Sequence, residues 1–167
     1  IVTAHIPDKS ELQVALVAMN PKSGGVKALI GGTNYEKSAY NRATQSLRQP
    51  GSTIKPLLYY TALEKGFTPS ATMRSEETTF SYDEGKSTYT PHNFRNHYAN
   101  EAITMAQAIA VSDNIYAVKT HLFLGQEELV KAGKRFGLTS KMTKVPPLAL
   151  GTPGVKTIEM AHAYNYI

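Results

Sequence analysis

Arg48-Gln49-Pro50-Gly51-Ser52-Thr53-Ile54-Lys55-Pro56 sets a serine and a lysine one helical turn apart, and the reading of the whole chain works outward from this stretch. A free serine hydroxyl is a poor nucleophile at neutral pH. An amine within hydrogen-bond reach, made basic enough by its surroundings, can take the proton as the oxygen attacks a carbonyl. Locally the stretch reads as a helix start: Gly51 allows a turn, Ser52 stands at the N-terminus, and Pro56 falls where a missing N–H costs little. Ile54, Leu57, Leu58, Thr61 and Ala62 then follow the i, i+3, i+4, i+7, i+8 spacing of a buried face. Lys65-Gly66 supplies a cation and a glycine stop, so the spacing predicts a helix over 52–65.

Ser-x-x-Lys by itself recurs by chance about once in 200 positions at ordinary residue usage. It is also what an N-cap serine followed by a solvated lysine looks like. A second element lies sixty residues on, Ser112-Asp113-Asn114. It separates an apolar-periodic segment through Ala102, Met105, Ala106 and Ile109 from another through Ile115, Val118 and Leu122. Ser, Asp and Asn are also preferred caps, so a purely structural role for this triplet is equally easy to state.

Together the two elements resemble two of the three signature motifs of penicillin-binding proteins and serine β-lactamases, Ser-x-x-Lys and Ser-Asp-Asn. The resemblance runs further. Tyr40-Asn41-Arg42-Ala43 leading into Arg48 to Pro56 is similar to the nucleophile region of class A penicillin-binding proteins. Thr90-Pro91-His92-Asn93-Phe94 resembles their Thr/Trp-Pro-x-Asn-Tyr segment. Leu148-Ala149-Leu150-Gly151, Thr157-Ile158-Glu159-Met160-Ala161 and Ala163-Tyr164 resemble the stretch before their third motif. That motif, Lys-Thr/Ser-Gly, is absent. Lys156-Thr157-Ile158 and Lys119-Thr120-His121 lack its glycine and lie in helical contexts. With a first residue other than methionine and this missing motif, the sequence is expected to be an excised piece of a larger protein.

The resemblance implies an α+β penicillin-binding transpeptidase fold, shared with serine β-lactamases, in partial form: an antiparallel sheet between two helical groups, its C-terminal strands absent. It implies a peptidoglycan D,D-transpeptidase acting through an acyl-serine and acylated by β-lactams. Ser52 would be the nucleophile, Lys55 its base, Ser112 a proton relay to the leaving amine, and Asn114 a hydrogen-bond partner of the substrate backbone. No cofactor is implied. The expected partners are peptidoglycan stem peptides, β-lactam antibiotics and the missing C-terminal part of the domain, which would cover an otherwise unpaired sheet edge. The expected parent is membrane-anchored, with a glycosyltransferase domain upstream, and works on the extracytoplasmic face of the bacterial membrane. Two alternatives share the motifs. A serine β-lactamase needs a glutamate in a loop after the second motif, where Lys144 to Gly151 offers no carboxylate. A non-catalytic β-lactam-sensing domain would be acylated without turnover.

Composition narrows the field independently. The chain has 167 residues, enough for one domain with a substantial core. Its net charge is +5, but the basic residues are scattered, which argues against nucleic acid as a partner. There are no cysteines, which excludes disulfides and thiolate chemistry. His5, His92, His97, His121 and His162 show no metal-ligand spacing, so no metal site is expected. No run of about 18 apolar residues offers a membrane span. The chain is expected to be a single domain over 1–167, with a β-hairpin over 12–30, the nucleophile helix over 52–65, a polar excursion with its own hairpin over 67–100, and a helical part over 102–167 with helices near 102–111, 115–124, 126–136 and from Thr157.

Overall fold

A computed structural model describes residues 11–167; Ile1-Val2 and His5 lie outside the described residues. The chain opens with an antiparallel hairpin of β1 (Leu16–Met19) and β2 (Val26–Ile30), in register Leu16 opposite Ile30 and with a bulge between Ala18 and Met19. Its turn is built by Asn20, whose side-chain oxygen accepts the N–H groups of Lys22 and Ser23 at 2.9 and 3.0 Å. This is the local capping that makes Asn a turn residue.

The predicted 52–65 helix divides into a 3-10 turn, Gly51–Ile54, and α1, Lys55–Glu64. Ser52 is not the cap: Pro50 precedes the turn without a side-chain cap bond. The Thr53 hydroxyl instead donates back to the Pro50 carbonyl at 2.6 Å. Pro56 occupies the first turn of α1, where no N–H is required of it. Ile54, Leu57, Leu58, Thr61 and Ala62 are buried as their spacing predicts. Lys55 and Tyr59 are buried as well, so α1 is enclosed on more than its apolar face.

Beyond it come β3 (Thr72–Arg74), β4 (Phe80–Tyr82) and β5 (Ser87–Tyr89), then β6 (Ala102–Thr104). β4 and β5 form a hairpin whose turn carries Asp83, Glu84 and Gly85 at positive φ. β3 pairs antiparallel with β6, which revises the helix predicted from residue 102: Ile103 is buried in the strand pair. The helix, α2 (Met105–Ala110), starts only after Thr104. There the Gln107 N–H donates to the Thr104 hydroxyl at 3.2 Å and the Thr104 N–H to the Gln107 side chain at 2.8 Å, a reciprocal capping box. α3 (Asn114–Leu124), α4 (Gln126–Arg135), a 3-10 turn over Pro146–Leu150 and α5 (Thr157–Tyr166) complete the chain.

Among the described residues the strands form three two-stranded antiparallel sheets. α1 packs on α3 and α4, and α5 packs on β1. One core cluster joins Leu58, Tyr59 and Ala62 of α1 to Tyr116, Ala117 and Val118 of α3 and to Leu148 and Ala149. A second joins Ile54 and Leu57 to Ala132, Phe136, Leu138 and Ala163. Each buried aliphatic side chain of this kind contributes about 1.5–3 kcal/mol. The nucleophile turn and α1 contribute to both clusters, which together fix where the N-terminus of α1 points.

Candidate active site

That N-terminus meets the turn between α2 and α3. Lys55, 4% exposed, runs its ammonium into this turn and donates to the Ser112 carbonyl at 2.7 Å, the Ser112 hydroxyl at 3.0 Å, the Asp113 carbonyl at 3.3 Å and the Asn114 side-chain oxygen at 2.6 Å. Ser112 holds φ at +54°, a left-handed conformation that costs a non-glycine residue about 1–3 kcal/mol. In that conformation it presents both its carbonyl and its hydroxyl to one amine. The two sequence elements thus form a single cluster, with Ser52, Lys55 and Ser112 lining a cavity of about 390 Å³ whose other walls include Tyr59, Leu63 and Ile109.

Ser52 is exposed, and its hydroxyl has no hydrogen-bond partner among the described residues. The contact expected between Ser52 and Lys55 is therefore not a direct hydrogen bond here; the amine is bound to the 112–114 turn. Burial pulls the Lys55 pKa down to about 8, against the attraction of the Asp113 carboxylate, which raises it. The group is thus a cation that can lose its proton close to neutral pH.

Asp113 is the piece that holds the turn. It is 3% exposed and caps α3, accepting the Tyr116 N–H at 2.7 Å. Its other oxygen accepts the Ser75 hydroxyl at 2.5 Å and the Asn93 amide at 2.7 Å. Asn93 also accepts the Asn114 N–H at 2.7 Å, and the Asn114 amide donates to the His92 carbonyl at 2.7 Å. The 90–94 segment is therefore a brace under the second motif. Sequence reading singled out the segment without that role, and nothing local marked Ser75, which is fully buried. The Tyr59 hydroxyl is buried without a partner among the described residues; burial first, then Asp113 and Tyr116, push its pKa upward, so it stays a phenol.

Backbone ties hold the other side of Ser52. Arg48 and Val155 exchange N–H···O bonds at 2.9 Å, and the Gly51 N–H donates to the Gly151 carbonyl at 3.2 Å. The Tyr164 hydroxyl donates to the Thr53 carbonyl at 2.7 Å. No group of His, Cys, Asp or Glu among the described residues could hold a metal ion. The acids nearest in sequence before the 144–151 loop, Glu127 and Glu128, are engaged in surface ion pairs, Glu127 with Lys144 and Lys131 and Glu128 with Lys65 and Lys131. No helix of the described residues is long and apolar enough to cross a membrane.

The chain has relatives of known family. A family model described as the penicillin binding protein transpeptidase domain matches residues 14–151. The chain is 53% identical to penicillin-binding protein 2D of Bacillus subtilis (strain 168) over 163 residues, 98% of this chain and 24% of that protein. It is 38% identical to penicillin-binding protein 1A of Aquifex aeolicus (strain VF5) over 162 residues, 96% of this chain and 21% of that protein. The crystal structure of penicillin-binding protein 1A from Haemophilus influenzae superposes with a TM-score of 0.84 at 35% identity, covering 92% of this chain and 23% of that one. The chain spans about a quarter of the length of these relatives. It belongs to the penicillin-binding protein transpeptidase family, and its fold is a partial form of that α+β fold.

Proposed function

We propose that this member of the penicillin-binding transpeptidase family belongs to a longer, membrane-anchored enzyme that cross-links peptidoglycan outside the bacterial cytoplasmic membrane. The observation that carries the reading is the convergence of Ser52, Lys55 and Ser112 on one cavity, with Lys55 tied to the turn that also bears Asn114. The Ser52 oxygen attacks the carbonyl carbon between the two terminal D-alanines of a stem peptide. Its proton passes to neutral Lys55, directly or through the Ser112 hydroxyl that Lys55 already contacts. The C–N bond then breaks, Ser112 hands the proton to the departing D-alanine amine, and an ester remains on Ser52. An amine of a second stem attacks that ester, loses its proton through the same pair, and frees Ser52. Asn114 holds the substrate backbone.

β-Lactams present a strained ring amide in place of that peptide bond; Ser52 opens the ring, the amine stays tethered to the acyl group, and the reaction stops at the ester. In the whole protein, a Lys-Thr/Ser-Gly strand from outside these 167 residues would complete the pocket, with a second oxyanion donor beside the Ser52 N–H. One such donor is worth about 10²–10³ in rate. That the chain covers about a quarter of these relatives supports a longer parent, in which the family resemblance implies an upstream glycosyltransferase domain.

The test is fluorescent-penicillin labelling of the full-length protein, with the labelled peptide mapped by mass spectrometry. The adduct is expected on Ser52 and should vanish in Ser52→Ala. Undiminished labelling of the alanine variant would overturn the assignment.

A further inference from the structure

Ser52 poses a problem of orientation. Its hydroxyl has no partner among the described residues and its side chain faces solvent, so nothing in the side chain's own contacts aims it. Its direction is set by the backbone of the Gly51–Ile54 turn. That backbone is in turn tied, on both sides of Ser52, to one distant stretch of chain. Upstream, Arg48 bonds Val155 in both directions and Gly51 bonds Gly151. Downstream, Thr53 accepts from Tyr164, 111 residues away.

The contact at Gly151 is also steric. Gly151 has φ +68°, and a Cβ there would overlap the Gly51 carbonyl oxygen and lie 2.6 Å from the Gly51 nitrogen. Gly51 is itself left-handed, at φ +58°. Two glycines therefore meet backbone to backbone one residue before Ser52, at a separation no other residue type permits at position 151. Gly154 is more loosely fitted, an added Cβ there falling 3.1 Å from the Leu47 side chain. The supporting stretch is itself anchored. Glu159 of α5, 6% exposed, accepts the Thr139 hydroxyl at 2.6 Å and the Ser140 hydroxyl at 2.7 Å.

We propose that residues 151–164 act as a clamp on the nucleophile turn, with Gly151 and Tyr164 as positioning residues that aim Ser52. The proposal rests on the acyl-serine reading of Ser52 for its catalytic consequence and on geometry alone for the clamp itself. Neither residue lines the cavity at Ser52. Each acts through the peptide planes that flank Ser52, and a misplacement of about 1 Å in a reacting group can cost about 10²-fold in rate.

The experiment uses the full-length protein and two variants, with penicillin acylation followed by stopped flow at varied drug concentration so that non-covalent affinity and the acylation rate constant separate. Tyr164→Phe keeps the ring and deletes only the hydroxyl that binds Thr53. It is expected to slow acylation about fivefold, the scale of one hydrogen bond, with non-covalent affinity within twofold and Tm near that of wild type. Gly151→Ala is expected to slow acylation about 100-fold or more; should it fail to fold, Tyr164→Phe decides. Amide exchange across residues 51–55 supplies a readout that does not depend on chemistry, and it should quicken in Tyr164→Phe. Wild-type exchange there overturns the clamp, as does a folded Tyr164→Phe that acylates at the wild-type rate. If wild-type protein is not acylated at Ser52, the functional reading fails, and the exchange measurement alone decides the clamp.

Discussion

On the proposed reading, in which the buried Lys55 is the base, acylation of Ser52 should accelerate about tenfold between pH 7 and pH 9 and then level off. With a pKa of about 8, Lys55 is neutral in about one molecule in ten at pH 7 and about nine in ten at pH 9. An ordinary lysine near 10.5 would be neutral in only about three molecules in ten thousand at pH 7, so burial enriches the base form by roughly 300-fold. When the amine loses its proton, it keeps two N–H groups for the Asn114 oxygen and a backbone carbonyl, and its lone pair needs a donor. Of its four partners only the Ser112 hydroxyl can turn around and donate, which couples deprotonation of Lys55 to the relay.

The stability sign follows from the same shift. The folded state holds this proton less tightly than the unfolded chain, so burying the ammonium costs stability below about pH 8. The cost is relieved as pH rises through the interval from about 8 to about 10.5, by roughly 3 kcal/mol in all. The assay is the stopped-flow acylation rate constant of the full-length protein from pH 6 to pH 10, alongside Lys55→Arg. Arginine keeps the charge and cannot act as a base, so this variant should lose about 10²–10⁴ in rate and its pH step. An inflection near 10.5, a flat profile, or an arginine variant acylating at the wild-type rate would refute the assignment of Lys55 as base.

Two further outcomes are expected. Asp113→Asn removes an acceptor from a carboxylate that takes bonds from Ser75, Asn93 and Tyr116. It should lower unfolding stability by about 1–3 kcal/mol in urea titration, and, by deleting the charge that raises the Lys55 pKa, move the acylation midpoint below pH 8. His121 is fully buried, with its pKa pushed down to about 4 by burial, against the Val145 carbonyl 3.2 Å from its Nε2. Its neutral form therefore supports the fold fully above about pH 6.5, and that support is lost as pH falls toward 4, by roughly 3 kcal/mol. His121→Leu should show a correspondingly shallower loss of urea stability between pH 7 and pH 4.5, and equal slopes for the two proteins would refute this account.

Much of the chain follows from short-range rules that sequence carries openly. The Asn20 turn, the apolar spacing from Ile54 to Ala62, the Asp83 to Lys86 turn and the glycine after α4 each depend on residues within a few positions of one another. So does the capping position of Asp113, which both the bland and the functional reading of Ser112-Asp113-Asn114 allowed. Ala102 to Thr104 went the other way. Their apolar spacing fits a helix, but pairing with Thr72 to Arg74, some thirty residues earlier, satisfies their backbone in a strand.

What tertiary structure alone decided is how the polar groups are paired. Lys55 could have been a solvated lysine; only the packing of α1 against α3 buries its amine against the 112–114 turn and moves its pKa. Ser75 and Asn93 carry no local mark of their role, because a hydrogen bond to Asp113 depends on where the β3 and 90–94 segments are brought, not on spacing. The same holds for Gly151 and Tyr164, whose contacts with Gly51 and Thr53 close loops of about a hundred residues. Periodicity records which side of an element faces inward. It holds no information about which distant backbone will be waiting there, since that is settled by the shape of the whole core.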